Sequence, residues 1–237
     1  MLYSPAPMLD LTKIKAISLD LDDTLWPIWP TIERAEIQLQ HWLAQHAPLT
    51  AAAFADPAHR VALREAVLRA QPAISHDMSA LRREMIRSGL QQGGEDPDLA
   101  EPAFDVFFAH RMRVDLYADA LPALRFLAAR FPLVAISNGN ADLARVGIGE
   151  HFHASLSAHL FGVGKPDARI FHAAASAAGV PPQAVLHIGD DARLDVLGAL
   201  DAGMQTVWLN RGGHPWDHRQ QPHFSVASLD PVCQLFA

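Results

Sequence analysis

IKAISLDLDDTLWP, Ile14 to Pro27, is the stretch from which the fold can be read. A short and mostly apolar run, Ile14 to Leu19, ends on Asp20, and Asp22, Asp23 and Thr24 follow at once. A run of this length and character predicts a buried strand that stops on an acid. Leu133 to Ser137 (LVAIS), Val185 to Gly189 (VLHIG) and Gln205 to Leu209 (QTVWL) have the same character. Between them the spacing predicts helices over Ala120 to Arg130, Asp167 to Ala178 and Asp191 to Ala202, the last stopped by Gly203. Strand, helix, strand at this spacing argues for an α/β protein with a parallel sheet covered on both faces. Such sheets take ligands outside the carboxyl ends of their strands, where Asp20, Ser137 and Asp190 fall.

One segment breaks the alternation. From about Pro27 to Asp115 no strand candidate occurs, and helical patterns appear near Thr31 to Gln45, Pro57 to Ala70, Asp77 to Gly89 and Asp96 to Arg113. About ninety residues is far more than a crossover between neighbouring strands requires. The economical reading is a helical domain over residues 27–115, inserted into a core made of residues 1–26 and 116–237. Trp26-Pro27 and Asp115 to Tyr117 would be its hinges, with a mobile turn at Gln91 to Gly94.

Composition narrows the class. A chain of 237 residues, 50% apolar and 19% charged, can bury a full core and a smaller partner domain. The net charge of −7, with no basic run, speaks against nucleic acid as a partner. A lone cysteine, Cys233, excludes an intrachain disulfide and fits a reducing compartment. Met1 to Asp10 lacks the charged start and long apolar run of a secretory leader, and no apolar stretch reaches the ~20 residues of a membrane helix. The expectation is a cytoplasmic protein with no membrane partner, a monomer or a homodimer.

Four fragments carry chemistry: Asp20 to Thr24, Ser137-Asn138-Gly139, Lys165-Pro166-Asp167, and Gly189-Asp190-Asp191 with Asp195 beyond. Acids, hydroxyls and one lysine at one edge of a sheet suit a metal ion and a phosphate. Asp20 and Asp22 are two apart, so in extended backbone they point the same way. Close carboxylates repel unless a proton or cation lies between them. A hard cation such as Mg²⁺ resolves this, taking a few carboxylates plus water and phosphate oxygens. Phosphate monoesters demand up to ~10²¹-fold acceleration, hence a nucleophile, a proton donor and positive charge at the phosphoryl oxygens.

DLDDT, SNG, KPD and GDDxxxD, in this order and with a helical insertion after the first, resemble the four motifs of the haloacid dehalogenase-like (HAD) hydrolase superfamily. The likeness covers nearly the whole chain. It implies a Rossmann-like core with a C1 helical cap, and a phosphatase of small phosphorylated metabolites. Residue by residue, it implies that Asp20 is a nucleophile forming an aspartyl-phosphate and that Asp22 is the general acid and then the base. Asp20, Asp190 and the Asp22 carbonyl would hold Mg²⁺, with Asp195 a direct or more distant partner and Asp191 possible. Ser137, Asn138, Thr24 and Lys165 would serve the phosphate, Thr24 also fastening its loop and Lys165 also neutralising charge on the nucleophile.

In the haloacid dehalogenases the position two after the nucleophile is not an acid, because halide leaves without a proton. Asp22 therefore points to phosphoryl chemistry. Phosphomutases share that acid and remain an alternative, as does a catalytically silent binding protein on the same shell. A narrower group, bacterial phosphatases acting on FMN and on 5-amino-6-(5-phospho-D-ribitylamino)uracil of riboflavin biosynthesis, is similar at IKAISLDLDDTLWP, PLVAISNGNA, HIGDDARLDVLGALDAGMQTVW and Gln71 to Asp77. His76-Asp77 would belong to substrate choice, or Asp77 to a helix start. Trp26, Trp29, Trp208 and Trp216 could stack on a flat ring or pack in hinge and core. Gly162 to Lys165 is no Walker loop, since Pro166 stands where a hydroxyl residue is needed. The thirteen histidines form no HExxH and lack cysteine partners, so zinc is not expected.

Overall fold

The computed structural model describes residues 8–237. The reading of the first ten residues as lacking a leader falls mostly on residues 1–7, outside the described residues. By its internal contacts the chain forms two compact units. One holds the residues through Pro27 together with Asp115–Asn138 and Leu143–Ala237. The other holds Ile28–Val114 and the short segment Gly139–Asp142.

The first unit is built on six parallel strands: β1 (Ala16–Leu19), β2 (Leu133–Ser137), β3 (Ala154–Ser157), β4 (Val185–Gly189), β5 (Gln205–Leu209) and β6 (Phe224–Val226). Their spatial order is β3-β2-β1-β4-β5-β6. The chain starts in the middle, winds to one side, then returns to the centre and winds to the other. β1 and β4 thus lie side by side where the winding reverses, and the loops leaving them diverge into a crevice. Every residue of β1, β2, β4 and β5 is buried, as expected of strands covered on both faces. That is why they read as mostly apolar runs. On one face Ile170, Phe171, Ala174 and Ala175 pack against Ala16, Val134, Ile136 and Val185.

The outer strands were not anticipated. β3 is ASLS, half-exposed and without a large apolar run, and β6 has three residues. Edge strands need little apolar surface, because one side faces water and their pairing comes from the backbone.

The second unit is helical: α1 (Ile28–His46), α2 (Pro48–Phe54), α3 (Pro57–Ala70), α4 (Met78–Gln92) and α5 (Ala100–Arg111). In α1 the buried Thr31, Ala35, Leu39 and Leu43 recur every fourth residue, one stripe of a helix. Ala35, Leu39 and Leu43 join Phe54, Leu63, Ile86, Leu90, Phe104 and Phe107 in one apolar core. Asp56 caps α3, with Pro57 at its first position, and Asp77 caps α4 by accepting from Ser79 N and Ala80 N. So Asp77 of the His76-Asp77 pair has a helix-start role. The unforeseen α2 takes its cap from far away, because the Glu95 carboxylate accepts from Leu49 N at 2.9 Å and Thr50 N at 2.8 Å. Among the described residues no helix is long and apolar enough to cross a membrane.

Candidate active site

Asp20 follows β1 directly, and its N–H donates to Ile188 O of β4 at 3.0 Å, which carries the sheet's pairing one residue past the strand. The chain then turns sharply. Asp23 adopts a left-handed φ of 58°, its N–H donates to Trp26 O at 2.7 Å, and Asp22 bridges Trp26. Asp and Asn tolerate this conformation better than most residues because the short polar side chain bonds locally. The turn buries Trp26 completely, and its indole N–H donates to Asp22 Oδ1 at 2.8 Å. Trp26 is therefore not free to stack on a ligand ring; it holds the carboxylate of Asp22.

Thr24 is also fully buried, and its hydroxyl donates to Asp190 Oδ1 at 3.1 Å. This geometry has it joining the first and last acidic loops. Arg211 adds a second fastening, donating to Thr24 O and to Asp119 Oδ1 while its guanidinium lies over Tyr117. No sequence pattern marked Arg211; it lies beyond the last motif, and only the return of the chain beside Thr24 gives it this part.

Lys165 is the cation of the site. Its ammonium donates to Asp20 Oδ1 and, at 2.6 Å, to Asp195 Oδ1, with all three side chains nearly sealed from water. The Lys165-Pro166 peptide is cis. The backbone of Lys165 is clasped by Asn138, whose side-chain oxygen accepts from Lys165 N at 2.7 Å and whose amide donates to Lys165 O at 2.8 Å. The Asn138 side chain thus positions the lysine. Gly164 is needed beside it, since a Cβ there would run into the Asn138 carboxamide. Ser137 ends β2 and is buried. Asp167, the last residue of that motif, caps the helix Ala168–Ala177.

Asp190 follows β4, and its carbonyl accepts from the Trp208 indole at 2.8 Å. Trp208 is buried and meets Trp216 edge-on at 4.9 Å, so it too packs and positions rather than stacking on a ligand. Asp191 caps the following turn: its Oδ1 accepts from Arg193 N and Leu194 N. That gives the side chain a helix-start role, apart from Asp20, Asp190 and Asp195, whose oxygens converge. The turn, Ala192–Leu197, is π-helical. Such turns put side chains where a regular helix could not. Here it carries Asp195, 1% exposed, under the loop, where Oδ2 accepts from Asp191 N at 3.0 Å. Gly189 leaves room for it, because a Cβ would collide with the Asp195 carboxylate.

Oxygens of Asp20, Asp190 and Asp195 lie within 4.8 Å of one another. Burial, opposed by Lys165 and aided by the Asp195 and Asp190 charges, holds the Asp20 carboxyl well above its usual range. Burial and the Asp195 charge push Asp190 up to about 7. Asp195 goes the other way, to about 2, because Lys165 and His187 outweigh its own burial. One lysine among three acids, Asp20 and Asp195 buried and Asp190 partly so, leaves the cluster short of positive charge. A divalent ion with oxygen preference fits this donor set.

A family model described as haloacid dehalogenase-like hydrolase matches residues 14–203. The 5-amino-6-(5-phospho-D-ribitylamino)uracil phosphatase YigB of Escherichia coli (strain K12) is 34% identical over 233 residues, spanning 95% of this chain and 97% of that protein. A phosphoserine phosphatase of Thermus thermophilus is 35% identical over 157 residues, 64% of this chain and 63% of that protein. Among solved structures, a 2-haloacid dehalogenase from Pseudomonas syringae pv. Tomato DC3000 superposes with a TM-score of 0.89 at 36% identity, covering 94% of this chain and 98% of the other.

Proposed function

This chain belongs to the haloacid dehalogenase-like hydrolases, and from that premise we propose that it is a Mg²⁺-dependent phosphomonoester hydrolase of small phosphorylated metabolites. The observation that carries the reading is the Asp20–Lys165–Asp195 arrangement with Asp22 two residues on. It supplies a nucleophile, a charge partner and a separate acid. Lys165 occupies Oδ1 of Asp20, leaving Oδ2 to attack phosphorus. As the bond from phosphorus to the leaving oxygen breaks, Asp22 delivers a proton to that oxygen. In the second step the Asp22 carboxylate takes a proton from water, the water oxygen attacks phosphorus, and the phosphorus–Asp20 bond breaks to release phosphate. General acid–base help of this kind is worth ~10²–10⁴-fold.

Trp26 aims the Asp22 carboxylate, and Asn138 holds Lys165 while Ser137 and the backbone N–H of Asn138 receive phosphoryl oxygens. Asp20, Asp190, the carbonyl of Asp22 and Asp195 are the residues that would hold Mg²⁺, which when bound neutralises charge on the phosphoryl oxygens. The helical unit Ile28–Val114 serves as the C1 cap that limits substrate range. The 34% identity to a ribitylaminouracil phosphatase across almost both chains favours that compound or FMN as substrate.

A dehalogenase reading draws on the name of the solved structure cited above. Asp22 argues against it, because departure of halide has no use for a proton donor. The deciding assay offers p-nitrophenyl phosphate, FMN, the ribitylaminouracil phosphate and a 2-haloacid, with Mg²⁺ or EDTA. Phosphate release that stops in EDTA and in Asp20→Asn is expected. Halide release, or full phosphatase activity in either condition, defeats the proposal.

A further inference from the structure

Ser18 and His187 face each other in register across β1 and β4, inside the sheet and sealed from water. Side chains alternate along a strand, so Ser18 shares a face with Ala16, and His187 with Val185. This is the face on which Phe171 packs, meeting the imidazole edge-on at 5.1 Å. A polar pair in such a place costs free energy unless fully hydrogen-bonded, whereas apolar residues of similar shape fill it without that cost. The catalytic scheme above gives neither residue a part.

Their bonds lead into the site. Ser18 Oγ lies 2.8 Å from His187 Nδ1, and His187 Nε2 lies 3.3 Å from Asp195 Oδ1. A carboxylate only accepts, so Nε2 bears the proton, and Nδ1 accepts from the Ser18 hydroxyl. Asp195 Oδ1 is the same oxygen that accepts from Lys165, while Oδ2 accepts from Asp191 N. Lys165 in turn reaches Asp20. Among the described residues, His187 thus joins Lys165 in bonding the Asp195 carboxylate, and it does so from the sheet side. Without it, the ammonium that bridges Asp195 to Asp20 loses a fixed anchor.

We propose that His187, oriented by Ser18, is a positioning residue that sets Asp195 so that Lys165 bears on Asp20 in the geometry for phosphoryl transfer. The inference rests on the phosphatase reading. Steady-state kinetics of the full chain on p-nitrophenyl phosphate in saturating Mg²⁺, with thermal unfolding in the same buffer, test it. His187→Leu removes the donor and keeps apolar bulk, and His187→Gln returns an N–H at the reach of Nε2. His187→Leu is expected to lower kcat roughly 10–100-fold, the usual loss when a supporting partner of a site residue is removed. Its KM should stay near the parent value, while its melting temperature falls somewhat because the Ser18 hydroxyl is left without a partner in a sealed core. His187→Gln should recover most of kcat.

A residue that served only the fold would lower the melting temperature in His187→Leu while leaving kcat of the folded enzyme at the parent value, with nothing for Gln to rescue. Parent-like kcat in His187→Leu, or equal losses in Leu and Gln, overturns the proposal. Should His187→Leu fail to fold, Ser18→Ala and Ser18→Thr decide, since only Thr keeps the hydroxyl. A loss confined to Ala supports the relay, and no loss in either rejects it. A parent enzyme that releases no phosphate sinks the phosphatase reading and this inference with it. A working parent alongside an equally working His187→Leu rejects the inference alone.

Discussion

Asp190→Asn should stabilise the metal-free protein while destroying its activity, and the size of the effect follows from the site. Burial, then the Asp195 charge, raise this carboxyl from 3.8 to about 7, against the opposing hydroxyl of Thr24. That difference corresponds to ~4 kcal/mol between charged and neutral forms. The sign follows from the two states. Below pH 3.8 the carboxyl is protonated both folded and unfolded, and nothing is lost. Between there and about 7 the unfolded chain ionises while the folded one resists, so stability drains away as pH rises. Asparagine cannot ionise, and its oxygen still accepts from Thr24.

In EDTA the variant should therefore match the parent near pH 4, exceed it by roughly 2 kcal/mol near pH 5.5, and by up to ~4 kcal/mol at pH 8. Urea unfolding at those pH values reads this directly, provided the slopes agree. Added Mg²⁺ should close the gap by stabilising the parent more, since ligand binding to the folded state alone raises its stability. A gap that does not change with pH, or a parent that is the more stable at pH 8, would refute the claim that Asp190 is held ionised under strain.

Gly189→Ala drives a methyl into the Asp195 carboxylate, an overpacking worth ~1–3 kcal/mol of stability. A lower melting temperature with at least a tenfold fall in kcat is expected; unaltered turnover would mean that Asp195 need not sit where it does. Trp26→Phe keeps the packed ring but removes the N–H bonded to Asp22. It should slow hydrolysis of alkyl phosphates by up to ~10²-fold while sparing acetyl phosphate, whose leaving group needs no proton. Equal losses on both substrates would detach Trp26 from proton delivery.

What could be read without coordinates were the features encoded over a few neighbouring residues. β2, β4 and β5 coincide with the runs read from the sequence, because strands covered on both faces are mostly apolar. Asp20 and Asp190 stand just past strand ends, and Lys165 and Asp195 fall in short motifs downstream of strands, so all four could be marked as candidates before their contacts were known. What tertiary structure alone decided were the pairings between distant segments. Glu95 starts α2 from 45 residues away, and Asn138 spends its side chain on the backbone of Lys165. Asp191 turns out to cap a π-helical turn, and Trp26 and Trp208 turn out to hold acids of the site. A side chain's type records which bonds it can make. Which of them it does make depends on which segments the sheet order brings alongside it.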